Sequence, residues 1–307
     1  MACAHIYGSS APSASAQEYD DCCIKFEVYL KSEKELGEKS GDESFQAYSW
    51  DGSNHTISYR RTFFGTFPIG YDITVTDGKV IAYIGKNYYK LVQKRVMNLH
   101  GIYYLLSDLA NIVLLKKGYL TLYASGAYCA SSKNGVLCFA PPNTGKTLTA
   151  TELCSKYNFD LVGEDIVIAK GDRLYSCPWT ASYRGKKSVS DSAGSMARTN
   201  SAGTYNRCNS CEITHMTVLA MGDERIVDNR DECSYRISIL NGYLFGHYSS
   251  PIVKILGYFD SEYRMDWTSL SQKQLELMIC RNNCKIIYSK DPMRYCEIIN
   301  DIVGEEK

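Results

Sequence analysis

Alternation of apolar and polar residues dominates the first third of the chain. "CIKFEVYL" (23–30), "FQAYSW" (45–50), "HTISYRRTFF" (55–64) and "YDITVTDGKVIAYI" (71–84) are rich in β-branched and aromatic residues. Such a pattern predicts strands. The turn at 76–79, Thr-Asp-Gly-Lys, fits a hairpin in which Gly78 supplies the positive φ. These strands form an expected antiparallel unit over 23–90, behind a Ser/Ala-rich loose terminus at 1–22. The period then lengthens. Residues 88–116 carry apolar positions at helical spacing, with Gly101 as an interruption and Gly118 as a stop.

Further along, strands are predicted at 119–124 and 135–140, followed by a helix and a buried strand over 159–168. A Gly-containing hairpin at 171–173 comes next. Residues 185–212 are Ser/Gly/Asn-rich with almost no aliphatic side chains, and read as a long polar loop. Short strands are expected over 213–259, and helix, strand, helix over 269–303. The pattern as a whole predicts an α/β (α+β) fold: a β-rich N-terminal unit, then a larger domain over 91–307.

Composition narrows the function classes. The chain has 307 residues, 45% of them hydrophobic, enough for a sizeable core. Its 34 basic groups balance 34 acidic ones. A formal charge of zero argues against nucleic acid as a partner held by phosphate neutralisation. The longest apolar run, 101–115, is broken by Ser107, Asp108 and Asn111, so no membrane span is expected. The first residues lack the basic start and apolar stretch of a secretory signal. The expected location is therefore cytoplasmic, with the 13 cysteines as reduced thiols. Twenty-five tyrosines suggest aromatic edges that face water. Self-association as a homo-oligomer stays open.

The chemistry concentrates in one stretch. "GVLCF" (135–139) is an apolar strand, "APPNTGKT" (140–147) a loop, and "LTATELCSKY" (148–157) a helix. Strand, loop and helix are the context in which a phosphate loop works. Backbone N–H groups and a helix N-terminus point at the anion. Pro142, Asn143, Thr144, Gly145, Lys146, Thr147 and Leu148 are the candidate nucleotide-binding residues. Lys146 brings a charge to the terminal phosphates, and the Thr147 hydroxyl suits Mg²⁺. Ala140 stands where such loops usually have glycine, which implies a less contorted entrance. Only eighteen and nineteen positions after Lys146, Glu164 and Asp165 stand among apolar residues in "FDLVGEDIVI" (159–168). Burying two carboxylates is costly unless a cation offsets them, which a nucleotide-bound metal ion would do.

This compact order of loop and acidic pair resembles the catalytic domain of the HPr kinase/phosphorylase family and its phosphoenolpyruvate-carboxykinase-like relatives. It is especially similar to the small HPr-kinase-like peptide serine kinases. The resemblance covers roughly 117–185. It rests on "YLTLYASG" (119–126), the loop at 140–147, "LVGED" (161–165) and, more weakly, "CPW" (177–179). Tyr123 occupies the family's histidine position, so chemistry that needs that imidazole is not expected here, and Glu164 replaces the usual first Asp. The resemblance implies an ATP- and Mg²⁺-dependent kinase whose acceptor is a Ser or Thr hydroxyl of a peptide or protein. Asp165 would be the catalytic carboxylate and Glu164 a metal or water ligand, or the reverse. Arg184, Arg198 and Arg207 are candidates for stabilising the transferred charge. Glu152 is either a supporting residue of the site or a helix-surface group.

Other readings compete. A nucleotide-binding regulator or scaffold without transfer, a small-molecule kinase and a carboxykinase-like enzyme all fit the same motif. Cys208, Cys211 and His215 have spacing that could place three ligands on Zn²⁺, with Cys177 and Cys233 elsewhere in the chain. Plain thiols and an ordinary histidine are the simpler reading. The pairs Cys22–Cys23 and Cys280–Cys284 are weaker still.

Overall fold

The computed structural model describes residues 2–6, 24–38, 41, 43–76, 78–94, 99, 101–177, 206–247, 252–264 and 266–304. The protein is mixed α/β, with two mixed sheets and eight helices among the described residues. Its contacts divide it into two units. One comprises 1–116 and 248–267, the other 117–247 and 268–307. The segment 91–116, read from sequence as part of the phosphate-loop domain, thus groups with the N-terminal strands.

The first unit is built on seven strands: β1 (Ala2–Ile6), β2 (Ile24–Lys31), β3 (Glu43–Phe45), β4 (Tyr48–Asp51), β5 (Thr56–Phe63), β6 (Phe67–Thr76) and β7 (Lys79–Gly85). Their order is β1-β2-β7-β6-β5-β4-β3. Two expectations change here. Residues 2–6 form a strand where a loose terminus was expected. The sheet is also not antiparallel throughout, because β1, β2 and β7 run parallel. A third change is local: "FQAYSW" is a hairpin rather than one strand, turned by Gln46 at φ 54°. Gly78 takes its positive φ of 83° in the β6–β7 turn. Three helices follow the chain, α1 (Glu33–Leu36), α2 (Lys86–Gln93) and α3 (Ile102–Lys116), and α6 (Ile252–Phe259) joins the unit from later in the sequence. Period-2 alternation buries Ile57, Ile69, Ile73, Val80 and Ile84 on one core.

The second unit carries β8 (Leu120–Leu122), β9 (Ser125–Cys129), β10 (Asn134–Phe139), β11 (Asp160–Gly163), β12 (Val167–Lys170), β13 (Arg173–Ser176), β14 (Ser210–Ala220), β15 (Arg225–Val227) and β16 (Asn283–Tyr288). Its helices are α4 (Lys146–Tyr157), α5 (Arg230–His247), α7 (Trp267–Arg281) and α8 (Pro292–Gly304). The strand path is β11-β9-β10-β14-β13-β12-β8, with β16 beside β14 and β15 beside β16. Strands β10, β14 and β16 are parallel, and β9 runs antiparallel between β10 and β11. The carboxyl ends of β10, β11, β14 and β16 therefore point the same way, and β9 begins at that end. Val136, Leu137, Phe139, Val218, Leu219, Ile286 and Ile287 are almost wholly buried, as strands covered on both faces require.

Two sequence expectations change in this unit. The strand expected over 119–124 is present but shorter, as β8, since the chain leaves it at Tyr123 and re-enters the sheet as β9. Residues 213–259 are not a run of short strands, because β14 and β15 are followed by helices α5 and α6. The stretch Arg236-Ile237-Ser238-Ile239-Leu240 alternates like a strand. Cys233, Ile237, Leu240 and Asn241 nevertheless recur at helical spacing and are all buried. Asn229 starts α5 by accepting the Glu232 N–H on its side-chain oxygen, at 3.0 Å. The expected polar loop, 185–212, runs into β14 from Ser210, while its residues 185–205 lie outside the described residues. No helix among the described residues is long and apolar enough to cross a membrane.

Candidate functional site

The buried strand β10 ends at Phe139, and Ala140 is still fully buried. The chain then turns outward through Pro141, Pro142 and Asn143, which are exposed. The loop closes on itself where the Thr144 N–H donates to the Pro141 carbonyl at 3.3 Å. Its two positive φ values fall on Asn143 (66°) and Gly145 (115°). Ala140 therefore has no left-handed conformation to adopt, which is why alanine serves there. Gly145 is doubly constrained. A Cβ at this position would lie 2.9 Å from the Cβ of Pro292, the first residue of α8. Helix α4 begins at Lys146 directly after it, and the Gly145 carbonyl accepts the Thr149 N–H at 2.8 Å and its hydroxyl at 3.1 Å. A helix N-terminus of this kind, directly after a loop, is the arrangement that an anion site uses.

Lys146 is 5% exposed. Its Nζ lies 3.2 Å from the centre of the Tyr123 ring and 3.8 Å from Asp165 Oδ1. The Thr147 hydroxyl donates to the same carboxylate oxygen at 3.4 Å. Asp165 is 27% exposed, so it stands at the rim of the site rather than inside it. Three chain segments meet here because they share one end of the sheet. Lys146 and Thr147 follow β10, Asp165 follows β11, and Tyr123 precedes β9. The Tyr123 N–H donates to the Asn241 side-chain oxygen at 3.1 Å, from the buried face of α5.

The acidic pair is not set in the middle of one strand, as the run 159–168 suggests. Glu164 and Asp165 occupy a bend between β11 and β12. Gly163 makes the bend feasible, since a Cβ there would come within 2.6 Å of Val167 Cγ1 and 2.9 Å of the Ile166 carbonyl oxygen. The physical reason is the cost of two carboxylates inside a dry strand. The bend leaves both half-buried. The main chain of Glu164 is held by the Ser125 hydroxyl, which donates to its carbonyl oxygen.

The oxygen pair of Thr147 and Asp165 suits Mg²⁺. Both are hard ligands, and two neighbouring ligands of one octahedral ion at about 2.1 Å stand about 3 Å apart. The observed 3.4 Å needs only a small adjustment. Behind the loop, burial pushes the Cys138 thiol up to about 11, with the Lys146 charge pulling the other way. Burial likewise pushes Cys154 up to about 12, so both are inert thiols at neutral pH.

Not every candidate joins the cluster. Leu148 lies half-buried in the first turn of α4. Glu152 is engaged on the helix surface with Lys156, at 3.1 Å. Arg207 bridges Leu161 near the start of β11, away from its Asp165 end. Arg184, Arg198, Pro178 and Trp179 lie outside the described residues, as do Cys22 and Cys23. Cys208 donates its thiol to the Ser210 carbonyl at 3.2 Å, and His215 Nδ1 is 2.9 Å from the Thr214 hydroxyl. Among the described residues, no three His, Cys, Asp or Glu side chains are grouped to hold a metal ion.

Sequence reasoning missed Asn241, Ser125 and Pro292, none of which carries a motif. It also missed the part played by Tyr123. Its position was singled out by the resemblance, which set it against a histidine, but the contact of its ring with Lys146 was not legible. Comparison with protein-family models finds no match to this chain, and comparison with curated proteins finds none either.

Proposed function

We propose that the second unit is an ATP- and Mg²⁺-dependent phosphotransferase that moves the γ-phosphate to a hydroxyl, that of Ser or Thr in a peptide or protein. One observation carries this reading. An ammonium, a hydroxyl and a carboxylate, supplied by two strand ends, converge within 3.8 Å beside a helix N-terminus. The resemblance of the loop and acidic pair to HPr-kinase-like enzymes supports the same chemistry.

Phosphoryl transfer asks mainly for positioning and charge neutralisation. The loop amides and Lys146 would hold the β- and γ-phosphates. Thr147 and Asp165 would hold Mg²⁺, which would supply charge neutralisation to the phosphates. Asp165, or Glu164 beside it, would accept the proton of the attacking hydroxyl. The rim position of Asp165 suits that role, because an acceptor must reach it from outside.

The test is transfer of label from γ-labelled ATP, with Mg²⁺, to Ser/Thr peptides, and separately to small hydroxy compounds. Label on a peptide that disappears in Asp165→Asn supports the proposal. Label on small molecules alone would move the acceptor class. Tyr123 in the histidine slot favours a second reading, a nucleotide-binding regulator. ATP-induced stabilisation with neither transfer nor hydrolysis would select it.

A further inference from the structure

We infer that Tyr123 is a positioning residue, the face of its ring holding the Lys146 ammonium in place for phosphate. This rests on the nucleotide-binding reading above. The ammonium sits 3.2 Å from the ring centre and is almost completely removed from water. A buried ammonium needs a compensating partner. A second carboxylate would supply one, but it would also repel an arriving triphosphate and compete for the lysine's donors. An aromatic face attracts the cation through its quadrupole without bringing a formal negative charge. Asp165, at 3.8 Å, is a carboxylate close to Lys146 whose charge Mg²⁺ could take up.

Tyr123 is itself fixed. Its N–H is bound to Asn241, a buried residue of α5, and it lies between β8 and β9, whose strands pair with β12 on one side and with β10 and β11 on the other. The ring is thus supported by main chain pinned in three directions. The contact uses the π-face rather than the phenol oxygen, so phenylalanine should serve and an aliphatic residue should not.

Two measurements on the full chain decide the matter. One is the Kd of ATP with Mg²⁺ for the wild type, Tyr123→Phe, Tyr123→Leu and Lys146→Ala. The other is the proton shift of the Lys146 ε-methylene, which the ring current of a stacked aromatic moves upfield. Tyr123→Phe should bind within about twofold of the wild type and keep the shift. Tyr123→Leu should lose the shift and weaken binding about 5- to 30-fold, the range of a desolvated cation–π contact. If Tyr123→Leu binds like the wild type while Lys146→Ala does not bind, the inference is wrong and the nucleotide reading stands. A Tyr123→Phe defect as large as that of Tyr123→Leu would assign the effect to the hydroxyl and also overturn it. If Tyr123→Leu does not fold, the wild-type shift decides alone, because an ordinary ε-methylene position excludes the stacked geometry. A wild type that binds no ATP removes both readings together.

Discussion

Each unit withdraws a cation from water, Arg60 in the first and Lys146 in the second, and the two do it differently. In the first unit, Arg60 has five N–H donors and five acceptors. Nε donates to the Gly37 carbonyl at 3.2 Å, Nη1 to Tyr59 and Tyr71 at 3.0 and 2.9 Å, and Nη2 to Leu36 at 2.8 Å and the Asp72 carboxylate at 2.9 Å. That guanidinium is saturated and fixed, and it joins α1 to β5 and β6. In the second unit, Lys146 faces a ring at 3.2 Å and a carboxylate at 3.8 Å, which is beyond hydrogen-bond length. A cation with every donor bound to oxygen is structural. A compact cation set against a ring face beside the loop at 140–147 is, on the proposed function, placed to receive phosphate. The difference between these two charges separates scaffold from site more clearly than burial does, since both are withdrawn from solvent.

The contrast can be broken in four ways, from the largest effect to the smallest. Asp165→Asn should lower the phosphoryl transfer rate about 10²–10⁴-fold while leaving the melting temperature close to the wild-type value. A matching loss of stability would make Asp165 a structural residue like Asp72. Arg60→Leu leaves the Asp72 carboxylate in a poorly hydrated place and should cost about 3 kcal/mol of unfolding free energy, read by urea titration. A cost below about 1 kcal/mol would remove the distinction from that side.

A third way uses pH. The Cys138 thiol behind the loop has its pKa raised from 9 to about 11 by burial. The folded state keeps this proton where the unfolded chain loses it. The stability it contributes is complete below about pH 9 and falls between pH 9 and 11, by about 1.4 kcal/mol per pH unit. Cys138→Ala should flatten that slope, and an unchanged slope would place the titration elsewhere. The smallest effect is expected for Lys146→Met. Methionine keeps most of the buried stem, so stability should change by less than about 1 kcal/mol, in either direction, and the thermal shift with ATP should be abolished. A large destabilisation would show Lys146 to be a second Arg60.

Much of this was legible in the sequence, for identifiable reasons. Period-2 alternation located β2, β5, β6 and β7. The strand, loop and helix around Lys146 came from an apolar run, a Gly-containing loop and a helical period in direct succession. Parallel pairing of β2 with β7 was not legible, because alternation shows which face is buried and not which neighbour is beside it. Helix α5 was obscured by five residues that satisfy both periods, and its Asn229 cap was the overlooked signal. The break at Gly163 was hidden by the apolar residues on either side of it. In the site, the residues that carry charge were identifiable by type. Asn241 and Pro292 were not, since nothing in their spacing distinguishes them from ordinary amide and turn positions, and for Tyr123 the position was singled out but not its contact with Lys146.

The close approach of Gly145 to Pro292 sets an order of events during synthesis. The wall against the phosphate loop lies 147 residues further along the chain, at the start of α8. A ribosome-bound chain that has already emerged past Thr147 carries the loop sequence but not its far side. If the loop holds a nucleotide as proposed, that competence would be acquired late in translation, once α8 has emerged to complete the loop's surroundings.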